Sequence, residues 1–77
     1  MLSLLKIYGK DDCQGCLAVK RWLDRRNIPY EAFNIVEDKQ AMREALDTGY
    51  YQLPILVYGD DSWFGFDPSK MEEVEKA

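Results

Sequence analysis

Apolar positions recur along the chain with two periods, and each switch between them marks an element. Leu4-Leu5-Lys6-Ile7-Tyr8 is apolar enough for a buried strand, and Gly9 punctuates its end. From Cys13 onward the spacing becomes helical: Cys16, Leu17, Val19, Lys20 and Leu23 recur on one side, with Trp22 beside them. Pro29 disfavours helical geometry at Ile28, so this helix should stop near Asn27. Tyr30-Glu31-Ala32-Phe33-Asn34-Ile35 alternates like a second strand. Asn34, with Glu37 three residues on, resembles a capping box, and Asp38 serves equally well as a cap. Ala41, Met42, Ala45 and Leu46 form the apolar stripe of a second helix, with Gly49 suited to its left-handed stop.

Pro54-Ile55-Leu56-Val57-Tyr58 reads as a third strand with the proline confined to its first position. Gly59-Asp60 is a hairpin signal leading into a short fourth strand, Ser62-Trp63-Phe64. Pro68 is placed to open a last helix through Met71 and Val74. The order is βαβαββα. A strand–helix–strand start requires a parallel pair with a right-handed crossover, and the closing hairpin adds an antiparallel edge. The expected fold is α/β, a small mixed four-stranded sheet flanked by three helices.

Length and charge narrow the function classes. With 77 residues the expectation is one domain, 1–77, with no room for a second core. The net charge is −4 and the cations are scattered, which argues against nucleic-acid binding. Met1-Leu2-Ser3-Leu4-Leu5 is apolar, but Lys6 interrupts it too early for a signal peptide or membrane span. A single close cysteine pair cannot staple a small secreted scaffold, so the expected setting is the reducing cytoplasm.

The chemistry rests on that pair, Cys13-Gln14-Gly15-Cys16, in a chain with no other cysteine and no histidine. At a helix start, unpaired backbone N–H groups and the helix dipole favour thiolate over thiol. Cys13, nearest the helix start, is the expected attacking residue, and Cys16, one turn in, the resolving one. Zinc normally takes four ligands, and nothing else in the chain completes such a shell, so no metal is expected. Lys10 is placed to stabilise a thiolate or meet an anionic substrate, whereas the charges of Asp11 and Asp12 oppose thiolate formation. Strand alternation puts Trp63 on one sheet face and Phe64 and Phe66 on the other. Tyr8 and Phe66 are expected in the core, and an aromatic left exposed beside the cysteines would form a docking surface.

The order of elements, the Cys-x-x-Cys after the first strand and the proline opening the third together resemble the thioredoxin fold. Short length narrows this to its glutaredoxin-like branch, and within it to the NrdH redoxins. Lys20-Arg21 fits that family, as do Gly49-Tyr50-Tyr51-Gln52-Leu53-Pro54 and Trp63-Phe64-Gly65-Phe66-Asp67-Pro68. The resemblance implies a dithiol–disulfide oxidoreductase, monomeric and without a tightly bound cofactor. Such a protein is reduced by thioredoxin reductase and donates electrons to ribonucleotide reductase. It also implies that Pro54 is cis and faces the cysteines, with the Leu53 backbone offering hydrogen bonds to a bound peptide or glutathione. The expected substrate-binding set is Lys10, Gln14, Gly15, Leu53, Pro54, Trp63, Phe64, Gly65 and Asp67.

Two departures from the family leave alternatives open. Gln14-Gly15 replaces the family's Val-Gln or Met-Gln, and glycine costs a helix roughly 0.5–1 kcal/mol. Asp67 stands where the family usually has arginine. Asp67 and Lys10 match residues with which glutaredoxins hold the amino group and a carboxylate of glutathione. The alternative is thus a glutaredoxin with glutathione as co-substrate. A third reading, an iron–sulfur cluster held between two chains with glutathione, rests only on the room Gly15 would leave near Cys13.

Overall fold

The computed structural model describes residues 4–77, and Met1-Leu2-Ser3 of the apolar start lie outside them. Among the described residues the elements are β1 (Leu5–Gly9), α1 (Gln14–Arg25), β2 (Tyr30–Asn34), α2 (Lys39–Asp47), β3 (Ile55–Tyr58), β4 (Asp61–Phe64) and α3 (Pro68–Lys76). They form one mixed sheet in the order β2-β1-β3-β4. β1 pairs in parallel with β2, and antiparallel with β3, which pairs antiparallel with β4. This is the α/β architecture expected from the element order.

Alternation along the central strands divides the apolar residues between the two sheet faces. Leu5 and Ile7 of β1, Leu56 of β3 and Trp63 of β4 pack with Val19 and Leu23 of α1 and Met71 and Val74 of α3. Tyr8 and Ile55 face the other way, onto Ala41 and Ala45 of α2. Full burial of each large aliphatic side chain here contributes about 1.5–3 kcal/mol. The small residues of α2 let that helix approach the sheet closely. Met42 and Leu46, expected in its stripe, remain about half exposed, because they line an open depression beside α2 with Tyr50, Leu53 and Ile55 instead of being covered. Leu17 of α1 is likewise about half exposed.

Local signals explain most boundaries. α1 ends as Asn27 turns left-handed (φ 56°), letting the Ile28 N–H reach the Leu23 carbonyl at 3.0 Å. The two cap candidates before α2 are both used, for different purposes. The Asn34 carboxamide accepts from the Val36 N–H to shape the turn, while Asp38 accepts from the Ala41 N–H as the cap. Gly49 closes α2 at φ 86°, and Gly59 supplies the positive φ of the hairpin.

The aromatic residues near β4 correct two expectations. Trp63 is core, 6 % exposed, so it offers no docking surface. Phe66 is not core: Gly65 turns left-handed at φ 76°, which ends the strand alternation and swings Phe66 to the α1 side. There its ring meets Trp22 edge-on, 6.3 Å between centroids, and stays 41 % exposed. Phe64 remains on the opposite face, tilted against Tyr50 at 5.3 Å.

Candidate active site

The cysteine pair sits where the end of β1 meets the start of α1. The intervening turn is exposed, and Asp12 within it adopts φ 60°, a region aspartate tolerates better than most residues. Cys13 has extended backbone geometry and is the N-cap of α1. Its Sγ accepts from the Cys16 N–H at 3.1 Å, so the sulfur does the work usually given to a cap oxygen. No acidic residue lies in the first turn to oppose charge on that sulfur. Cys13 is partly exposed and Cys16 is buried. The two form a disulfide, with Cα atoms 5.2 Å apart.

Two glycines shape the surroundings of this bond. A β-carbon on Gly9 would lie 2.5 Å from the Cys16 Sγ, so the bare end of β1 makes the space for that sulfur. A β-carbon on Gly15 would meet Pro54 Cδ at 3.0 Å and the Leu53 carbonyl oxygen at 3.9 Å. The bare Gly15 thus lets the Pro54 ring close onto the first turn of α1.

The Leu53–Pro54 peptide bond is cis, and Pro54 is buried against α1's first turn. The Pro54 carbonyl accepts from the Gly65 N–H at 2.8 Å, which ties this loop to the end of β4. Leu53 is partly buried and borders an apolar depression with Ile35, Met42, Leu46 and Tyr50. Gln14 is exposed on α1's first turn.

The fold thus brings Cys13, Gln14, Gly15, Cys16, Leu53, Pro54 and Gly65 into one neighbourhood. Lys10 is exposed and lines a small polar cavity with Gly9, Asp11, Lys20 and residues 32–34, on the β2 side of the turn. Asp67 is occupied as the N-cap of α3: its Oδ1 accepts from the Ser69 and Lys70 N–H groups at 3.0 and 3.3 Å. From sequence, Gly9 reads only as a strand stop. A glycine at the last position of a strand gives no hint that a sulfur from the next helix lies over it.

A family model described as Glutaredoxin matches residues 5–63. The chain is 33 % identical over 73 residues to the glutaredoxin-like protein NrdH of Escherichia coli (strain K12), covering 95 % of this chain and 90 % of that one. It is 27 % identical over 71 residues to glutaredoxin-like protein NrdH of Lactococcus lactis subsp. lactis (strain IL1403), covering 92 % and 99 %. Among solved structures, the NrdH-redoxin of Escherichia coli matches with a TM-score of 0.82 at 33 % identity, covering 90 % of this chain and 91 % of that one.

A Cys-x-x-Cys disulfide at a helix start, facing a cis-proline, on this sheet and with these relatives, defines a thiol–disulfide oxidoreductase of the thioredoxin fold. The chain belongs to the glutaredoxin family. Within that family it groups with the NrdH-type redoxins, across nearly its whole length.

Proposed function

We propose that the chain is an electron donor of the NrdH type, reduced by thioredoxin reductase and oxidised by ribonucleotide reductase. The observation that carries the dithiol mechanism is the asymmetry of the pair. Cys13 is accessible and receives an N–H from the helix start, while Cys16 lies buried one turn behind it. In the reduced protein the Cys13 thiolate attacks one sulfur of a target disulfide, and the other target sulfur leaves as a thiolate and takes a proton. The Cys16 thiolate then attacks the Cys13 sulfur of the mixed disulfide and expels the second target thiolate. The target gains two electrons and two protons, and the chain is left with the Cys13–Cys16 disulfide. Leu53 and Pro54 line the approach to that bond, with no N–H on the proline to compete for the sulfurs. Such a cycle needs a reducing compartment, so the reading includes the cytoplasm.

Support for the reductase comes from the Escherichia coli relative, a glutaredoxin-like protein with a thioredoxin-like activity profile. The test is reduction by NADPH and thioredoxin reductase in the absence of glutathione, followed by turnover of ribonucleotide reductase. Turnover that appears only with glutathione and its reductase would overturn this version.

Glutathione as co-substrate is a second reading, and the observations that favour it are the exposed Lys10 and the Asp67 Oδ2, which is left outside the cap bonds. It calls for calorimetric binding of glutathione to the oxidised chain, and a flat titration ends it.

A further inference from the structure

One face of α1 carries chemistry that the disulfide exchange itself does not use. Ala18, Arg21, Trp22 and Arg25 follow each other at helical spacing and, with Phe66, line a shallow open groove. Trp22 is half-buried against the core below, and Phe66 packs on its edge. The groove therefore has an aromatic floor with two guanidinium groups on its rim. Its position is as distinctive as its make-up. The cations, expected to be scattered, are partly gathered on this helix: residues 20–26 hold four (Lys20, Arg21, Arg25, Arg26) and one carboxylate, Asp24, a local charge of +3 in a chain of −4.

The cations of this helix are not equally available. Arg26 is spoken for: its guanidinium stacks 3.8 Å from the centre of the Trp22 ring and pairs with Glu75 at 3.4 Å. The Asp24 carboxylate accepts from the Tyr30 hydroxyl at 3.0 Å. Arg21 and Arg25 are exposed and form no ion pair among the described residues. Two free, forked donors beside the exposed Phe66 ring match carboxylates flanking an apolar side chain.

We propose that this groove docks an acidic segment of the redox partner, next to the cystine that reacts at Cys13. The proposal rests on the dithiol reading above and adds to it how the partner is recognised. At 1.5 Å per helical residue, Ala18 lies roughly 7 Å and Arg25 roughly 18 Å along the axis from Cys13. An extended chain covers that span in about two to six residues. Arg21 lies roughly 12 Å along that axis, so the recognised pattern is an aromatic or large aliphatic residue between two carboxylates, about four to six residues from the target cysteine. The carboxylates meet Arg21 and Arg25, and the apolar side chain rests on Phe66, which Trp22 backs edge-on. A strongly acidic partner would be repelled by the rest of this chain, so the groove also sets the orientation of approach.

The test uses the full chain, reduced chemically beforehand so that the outcome does not depend on which reductase serves it. Two synthetic peptides are compared, each carrying its cysteine as a mixed disulfide with thionitrobenzoate. One has an aspartate–phenylalanine–aspartate run starting four residues from the cysteine, and the other has lysine in place of each aspartate. The chain should react roughly three- to tenfold faster with the acidic peptide at low salt, the gap closing by 0.5 M sodium chloride. The double variant Arg21→Glu/Arg25→Glu should reverse the preference, and Arg21→Lys/Arg25→Lys should restore most of it. Should the charge reversal fail to fold, Arg21→Gln/Arg25→Gln should abolish the preference. Equal rates with the two peptides, or a preference that survives charge reversal, would overturn the proposal. Release of no thionitrobenzoate from either peptide would instead count against the dithiol reading.

Discussion

The Cys16 sulfur occupies the space that a side chain at position 9 would fill: a β-carbon on Gly9 would lie 2.5 Å from that Sγ. In the dithiol form the Cys16 thiol can turn away from such an intruder. In the disulfide its position is tied to Cys13, so crowding falls mainly on the oxidised form. Overpacking typically costs about 1–3 kcal/mol, and about 1.4 kcal/mol corresponds to 30 mV for a two-electron couple. Gly9→Ala should therefore raise the reduction potential by about 20–65 mV, read by equilibration against a dithiothreitol redox buffer. An unchanged potential would mean that the sulfur has room to spare.

Gly15 sets helix propensity against packing. Alanine would ordinarily stabilise a helix by roughly 0.5–1 kcal/mol over glycine. Here its β-carbon would press on Pro54 Cδ at 3.0 Å, and Pro54 is buried and tied through its carbonyl to Gly65. The two effects should offset, leaving Gly15→Ala within about 1 kcal/mol of the parent in urea denaturation. A clear gain in stability would show that the proline loop yields easily.

The contrast between these glycines and the rest of the site marks what was readable in advance. β1, α1 and the cysteine pair announce themselves through local periodicity, and the loop with Pro54 through its motif. The cap before α2 was legible as a choice between Asn34 and Asp38, because both side chains suit the role; the backbone uses one for the turn and one for the cap. Phe66 escapes the alternation because the left-handed Gly65 ends the strand before it, a turn the strand pattern does not encode. The tasks of Gly9 and Gly15 arise only when α1 lies over β1 and the proline loop closes on α1. Those are tertiary contacts with no local signature.

Asp67 separates a cap from a charge. Its Oδ1 accepts two backbone N–H groups at the start of α3, a cap whose loss typically costs about 1 kcal/mol. Asparagine retains the cap oxygen and loses the charge. Asp67→Ala should therefore lower stability by about 0.5–2 kcal/mol, and Asp67→Asn by much less, in parallel denaturation curves. If Asp67→Asn is as damaging as Asp67→Ala, the carboxylate charge and not the cap bonds carries the effect.

Tyr8 connects the sheet to α2 through a proton that high pH removes. Its hydroxyl donates to Glu44 Oε1 at 2.8 Å, and its ring stacks on Phe33 at 5.1 Å. Burial first, and then the hydrogen bond and charge of Glu44, raise its pKa above that of a free phenol; burial and Asp24 raise Tyr30 likewise. The folded chain keeps these protons where the unfolded chain, with phenols near 10, gives them up. The stability these groups contribute is thus fully present below about pH 10 and is lost as the pH climbs beyond it. Tyr8→Phe should cost about 0.5–1.5 kcal/mol at neutral pH through the lost hydrogen bond. It should also flatten the fall in urea midpoint between about pH 10 and 11.5, the remaining slope coming from Tyr30. A variant that loses stability with pH as steeply as the parent would show that the proton held at Tyr8 does not govern the alkaline limit.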